Sequence, residues 1–486
     1  MSSDDEHVEI INTIFKDLSL PEVPRYSLTP SAKFPLPSSY NLHLLSTTTT
    51  LLSTLTPALL YAHRNNLPSS SQPQVILSPF QADAQFLCER LYSIDGTPSN
   101  TDRLLIGGLH ATGGSGHVRI HDGFPNHRSG TLKLFNLPSD ATREDVAVGC
   151  LKYHSSVALE TAAHEAGLPI YALRSPAEWS SHPQSSFTSS SPILLKSIPS
   201  STSNKTYNLP PASRPLSGIR ILDLSRVIAA PCAGKLLASF GADILWITSP
   251  NLPSLPVLDL EFSRGKRSIE LDLNDPADKA TLEGLIADCD VFLQSYRPGS
   301  LAAKGFSPED LVKLNPNIIC ANLSAFGPDG PWAERRGFDS LVQTCAGMNY
   351  SEAEQRGDNL PALPLPCQAL DHASGHLLAT GICAALYHRG VKGGAYTVTV
   401  SLAATQKFLE SMGRIPASQA FADEKVTGPG GLPEELFEER QLEDALGLMR
   451  YVKAAGRIEG VEVGWKRMPG KLGRDKPEWL PRPPMK

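Results

Sequence analysis

The sequence predicts an α/β protein built on a parallel sheet with helices on its faces. Three observations predict it. Between residues 216 and 411, short runs of Val, Ile and Leu alternate with helical segments, the pattern of strands joined by crossover helices. One of these runs, GIRILDL at 218–224, is apolar over most of its length, as befits a strand covered on both faces. The chain also has 486 residues, 41% of them hydrophobic and 19% charged, which is globular composition and more length than one core normally serves.

In chain order, 218–224 reads as a buried strand, 233–239 as a helix and 242–248 as the next strand, with 288–296 and 318–324 as two more. The most apolar stretch, 227–247, contains Pro231, Gly234, Lys235, Gly241 and Asp243, which suit a loop–helix–strand unit and break a membrane span. DHASGHLLATGICAALYH, starting at Asp371, reads as a helix. Three stretches have linker chemistry: Ser/Thr at 46–54, Ser/Pro at 183–215 and acidic at 423–444. Segments 59–87 and 385–409 share a pattern, a helix ending in Leu-Tyr with a His/Arg pair, then a polar turn and a V-x-x-S strand. Either a partial internal repeat or two unrelated αβ units produce it.

Forty-four basic against 50 acidic side chains give a net charge of −6, so no global basic field exists to hold nucleic acid or anionic lipid. The eight cysteines form no C-x-x-C pair and the first residues are acidic and polar rather than basic-then-apolar, which predicts a reducing, cytoplasmic setting.

Several chemistries can be excluded by motif. The first βα turn, Ser225-Arg226-Val227-Ile228-Ala229-Ala230-Pro231, lacks G-x-G-x-x-G, and Gly234-Lys235 is followed by Leu236, so neither a dinucleotide nor a nucleoside triphosphate is supported. No G-x-S-x-G elbow occurs. His372 and His376 are four apart on the same helix, but Ala373 stands where a zincin has Glu, so no metal is expected. Asp371 opens this helix and has two readings: an N-cap, or an ionised nucleophile at the positive helix end, with Ala373, Ser374 and Gly375 leaving room for a ligand.

PLSGIRILDLSRVIAAPCAGKLLASFGADILWI, SRGKRSIELDL, DVFLQSYRPGSLAAKGF, LNPNIICANLSAFGPDGP, GFDSLVQTCAGM and LDHASGHLLATGICAALYHR, six blocks in order between Pro215 and Ser411, resemble the family III CoA-transferases. That group includes formyl-CoA transferases, carnitine CoA-transferases and 2-methylacyl-CoA racemases. The resemblance implies a Rossmann-like parallel sheet domain plus a smaller α+β domain. GGSGHVRIHDGFPNHRSGTLKLFNLP and AGLPIYALRSPAEWSSHPQ resemble that smaller domain, which here precedes the sheet domain instead of following it. The implied organisation is an N-terminal extension and partial copy at 1–58, a partial family copy with the small domain at 59–182, a Ser/Pro linker at 183–215, the catalytic sheet domain at 216–411, an acidic linker at 412–446 and a C-terminal return segment and tail at 447–486.

Residue by residue, the resemblance assigns Asp371 as the nucleophile and gives the first copy none, its equivalent place falling near Leu45. Asp371 would attack an acyl-CoA thioester and pass through an aspartyl-CoA thioester to a carboxylic acid acceptor. Coenzyme A thioester is then substrate, no cofactor is permanently bound, and a homodimer is expected. Val227, Ile228, Leu271, Ser295 and Tyr296 correspond to channel-lining positions. Arg264, Lys266, Arg267, Arg297 and Arg336 are the candidate phosphate-binding cations, Lys266 and Arg336 foremost. Ile228 stands where formyl-CoA transferases have Gln, and Gly113-Gly114-Ser115-Gly116 is either their closing loop or a hairpin turn. Phe338 stands where racemases have a proton-moving His, which favours transfer over racemisation unless His121 or His127, read as surface-turn residues, serves instead. A non-catalytic acyl-CoA-binding paralogue is the third reading. Ile228, Phe338 and Met348 point to an apolar acyl pocket.

Overall fold

The computed structural model describes residues 3–482 apart from Ser31, 101–104, Ser115, 200–208, Asp358, Glu424 and Thr427. Two sheets position the site. A small antiparallel one joins β1 (Gly108–Ala111), β2 (His117–Ile120) and β3 (Ile170–Ala172). Alternation puts Val118 and Ile120 of β2 into a local core with Leu132, Val146 and Leu159 from three covering helices. This is the expected small α+β unit.

The large sheet has seven strands: β4 (Leu194–Ile198), β5 (Arg220–Leu224), β6 (Asp243–Thr248), β7 (Arg267–Glu270), β8 (Val291–Gln294), β9 (Ile319–Ser324) and β10 (Ala395–Ser401). Their order is β7-β6-β5-β8-β9-β10-β4, all parallel except the β4 edge. Ile221 and Leu222 of β5 are fully buried and belong to separate apolar clusters, one on each face, which is why GIRILDL carries no polar alternation. The order reverses between β5 and β8, so a crevice opens beyond their C-terminal ends.

Four helices frame that crevice: α1 (Leu42–Arg64), α2 (Ala229–Ser239), α3 (Asp339–Cys345) and α4 (Ala369–Lys392). α4 lies between α1 and α2 in the main core. Helix α1 corrects the reading of the Ser/Thr tract as a linker, since every residue from Ser46 to Thr54 is buried inside it. The hydroxyls of Thr49, Thr54 and Thr56 donate to the carbonyls of Leu45, Thr50 and Leu52, one turn back, so the helix can be both hydroxyl-rich and buried. The other two linker stretches also contain regular structure. The Ser/Pro stretch supplies β4, and the acidic one supplies Phe437–Gln441, which pairs antiparallel with Leu448–Val452. Among the described residues, no helix is long and apolar enough to cross a membrane.

Candidate active site

Asp371 is the third residue of α4. It is not the helix cap. The backbone N–H groups of Leu370 and Asp371 both donate to Oδ2 of Asp339, at 2.8 and 3.0 Å, so the cap comes from the start of α3. Gln343 Nε2 donates to the other oxygen of Asp339, and Gln343 is itself oriented by the Asn349 amide at 2.9 Å and the Leu365 N–H at 3.1 Å. The Asp371 carboxyl is thereby released from capping, and Asp371 lines two cavities.

The room around it is not where the small residues of the motif suggest. Ala373 and Ser374 are fully buried, and a Cβ on Gly375 would lie 2.6 Å from the Ala229 carbonyl and 2.8 Å from Cys232 Cβ. Gly375 makes space for α2, not for a ligand.

Burial, followed by the neighbouring negative charge of Asp339, pushes the Asp371 carboxyl well above the ordinary carboxylate range. His372 opposes this. Burial disfavours its imidazolium, but Glu89, whose Oε2 lies 3.0 Å from Nε2, and Cys232 together outweigh burial and raise it to about 10. His376 faces elsewhere, with Nδ1 2.7 Å from Ser53 Oγ, so the two helical histidines do not converge on one point. Cys88, Glu89 and His372 form a compact group of potential metal ligands, but the Lys235 ammonium lies 3.3 Å from Cys88 Sγ and is held by Glu261 at 2.8 Å. A cation already occupies that neighbourhood.

The first cavity, of about 510 Å³, lies over the C-terminal ends of β5, β6, β8 and β9. Val227, Ile228, Leu271, Ser295, Tyr296 and Arg336, residues that the resemblance assigns to CoA, all line it. Lys266 does not. Its ammonium is fully buried, 2.8 Å from Asp223 Oδ2 and 2.9 Å from the Pro231 carbonyl, under Gly234, where any Cβ would strike the pair. Arg264 and Arg267 are likewise engaged, with Glu261 and with Asp243. Of the five candidate cations, only Arg297 and Arg336 reach the cavity. Arg226 and Lys304 join them there, and the sequence reading missed both. The signal for Arg226 was a cation inside the first βα turn; its guanidinium lies 4.8 Å above the Phe124 ring.

Val227 adopts a left-handed backbone with φ +72°, an uncommon conformation for a β-branched residue. It lines both cavities together with Ile228, Phe338 and Asp371, so these four residues form the partition between them. Met348, expected beside the acyl pocket, lies instead in the main core.

The small unit contributes two imidazoles at this partition, which replaces the expectation of surface turns. His121 stacks on Phe338 with ring centroids 3.8 Å apart and planes 3° apart, and lines the second cavity. His127 packs 5.9 Å from the same ring and lines the first. Burial, then neighbouring positive charge, lowers His121 to about 3 and His127 to about 4, so both are neutral bases near pH 7. Of the glycine loop, Ser115 lies outside the described residues. Gly113 and Gly114 press against the carbonyls of Leu151 and His154, and neither lines either cavity.

An α/β protein with a buried carboxylate at the start of a helix, between a cation-bearing crevice and a second chamber, is the class defined by fold and site. Residues 216–435 match the family model of CoA-transferase family III. It is 36% identical over 203 residues to the "Probable fatty acyl-CoA transferase Rv3272" of Mycobacterium tuberculosis, covering 39% of this chain and 51% of that one. It is 32% identical over 279 residues to an "Acyl-CoA transferase" of Gibberella moniliformis (55% and 48%). It is 37% identical over 202 residues to a "Formyl-CoA:oxalate CoA-transferase" of Afipia carboxidovorans (39% and 47%). The solved structure of Rv3272 overlaps it with a TM-score of 0.38 at 34% identity, covering 41% of this chain and 57% of that one. The chain thus spans about half the length of the curated relatives it matches.

Proposed function

We propose that this protein transfers CoA from an acyl-CoA thioester to a carboxylic acid through a covalent intermediate on Asp371. The observation that carries the proposal is the placement of the Asp371 carboxyl, freed from helix capping by Asp339, in the wall shared by both cavities. The Asp371 carboxylate attacks the thioester carbonyl; the C–S bond breaks and CoA leaves as thiolate, giving a mixed anhydride. The thiolate then attacks the Asp371 acyl carbon, releasing the donor acid and forming an aspartyl-CoA thioester. The acceptor carboxylate attacks that thioester, and the thiolate released takes the acceptor's acyl group from the second anhydride and regenerates Asp371. No metal or redox partner enters this balance. Arg226, Arg297, Lys304 and Arg336 are the groups proposed to hold the CoA phosphates. The working form proposed is a cytoplasmic homodimer, as in the family the sequence resembles.

The test is intact-mass analysis of wild type and Asp371→Ala after incubation with a panel of acyl-CoAs, with hydroxylamine to trap an activated carboxyl. A CoA adduct or hydroxamate at Asp371, absent from the variant, is the expected result. Binding of acyl-CoA with no adduct from any donor would sink the transfer reading in favour of a binding paralogue.

A second reading, α-proton exchange on acyl-CoA, is favoured by one observation: the neutral His127 lines the same cavity as Asp371. It requires deuterium from solvent to enter the α-position of an acyl-CoA with no acid acceptor present.

A further inference from the structure

The second cavity, about 360 Å³, extends from the partition formed by Val227, Ile228, Phe338 and Asp371 toward the small unit. Its size is that of a site for a small molecule. Leu258, Val257 and Leu365 give it apolar wall, but Arg119 also lines it. In β2, Arg119 stands between Val118 and Ile120, which point into the core of the small unit, so strand alternation turns Arg119 to the chamber side.

Besides Asp371, two acids line this chamber, and each already has a partner. Glu89 holds His372 at 3.0 Å, and Asp339 accepts from the helix N–H groups and Gln343. Arg90 Nη1 donates to the Pro366 carbonyl at 3.2 Å. Arg119 has no hydrogen-bond acceptor and no ion-pair partner among the described residues; Asp339 attracts it only from beyond contact, and Arg143 repels it. Arg119 is half-buried in the cavity wall, and a partly desolvated guanidinium with no acceptor among the described residues favours an incoming anion.

The geometry points to this chamber as the seat of the carboxylic acid that receives CoA, and we propose that Arg119 selects acids carrying a second carboxylate. One carboxylate of a short aliphatic diacid would meet Asp371 while the other pairs with the planar fork of Arg119. This inference rests on the transfer reading of Asp371.

The test holds one donor acyl-CoA fixed and compares glutarate with valerate, equal in carbon number, as acceptors. Wild type is expected to favour glutarate in kcat/KM by tenfold or more. Arg119→Gln is expected to reduce the glutarate-to-valerate ratio at least tenfold, and Arg119→Lys to restore part of it. A wild-type ratio of one or less, or a ratio that Arg119→Gln leaves in place, overturns the proposal. Calorimetric titration of glutarate into both proteins separates this from failure of the transfer reading. Glutarate binding weakened tenfold in the variant supports the Arg119 site even if no aspartyl adduct ever forms, and equal binding in both overturns it. Matching thermal melts of the three proteins exclude misfolding as the cause.

Discussion

Asp339 accepts the backbone N–H of Asp371 at 3.0 Å, and by capping the helix it leaves the Asp371 side chain without that task. Two carboxyls therefore share one helix N-terminus. Asp339 is bonded and raised only to about 6, whereas Asp371 is driven higher by burial and by the charge of Asp339. The proposed nucleophile is an anion that the fold resists forming.

That resistance predicts the pH profile. The proposed transfer needs ionised Asp371, so activity should fall as pH drops through a value above the ordinary carboxylate range. Asp339→Asn removes the adjacent charge, and the acid limb of kcat is expected to move to lower pH. An unmoved limb would assign the whole shift to burial.

Stability should respond in the opposite sense. A carboxyl whose folded pKa is raised loses the fold stability as pH rises from its unfolded to its folded value, after which the loss is constant. Asp371→Asn is therefore expected to melt higher than wild type at about pH 8 and level with it near pH 4, where both are neutral. The same variant should form no CoA adduct. Equal melting at both pH values would argue against a raised Asp371.

Lys266 and Arg336, paired in expectation, should behave differently. Removing the Lys266 ammonium strands Asp223 in the core, so Lys266→Ala is expected to cost about 3–5 kcal/mol in denaturant unfolding. Arg336→Ala should leave stability nearly unchanged and raise KM for acyl-CoA several-fold, as initial rates will read.

Gly375→Ala drives a methyl into the Ala229 carbonyl, and α2 and α4 must separate. The expected loss is about 1–3 kcal/mol with a lower kcat, because α4 carries Asp371. Differential scanning calorimetry and steady-state kinetics together check it.

The elements of the large sheet were legible because each is a local pattern. Four predicted strands appear as Arg220–Leu224, Asp243–Thr248, Val291–Gln294 and Ile319–Ser324, and the predicted helix extends to Ala229–Ser239. Composition misled where a tertiary partner supplied what local chemistry lacked. The 46–54 tract resembled a linker until helical carbonyls and the core of α4 accounted for its hydroxyls and its burial.

By itself the sequence determined the α/β class and the six family blocks, and through the resemblance it singled out Asp371 as a candidate, since strand period, turn residues and motif order are properties of neighbours along the chain. Only the tertiary structure decided which cations face the crevice, which carboxylate caps α4 and which histidines reach Phe338. Lys266 is paired with a residue 43 positions away and Asp371 is served by one 32 positions away. A charge takes whichever partner the fold brings within about 3–4 Å, and chain separation carries no record of that distance.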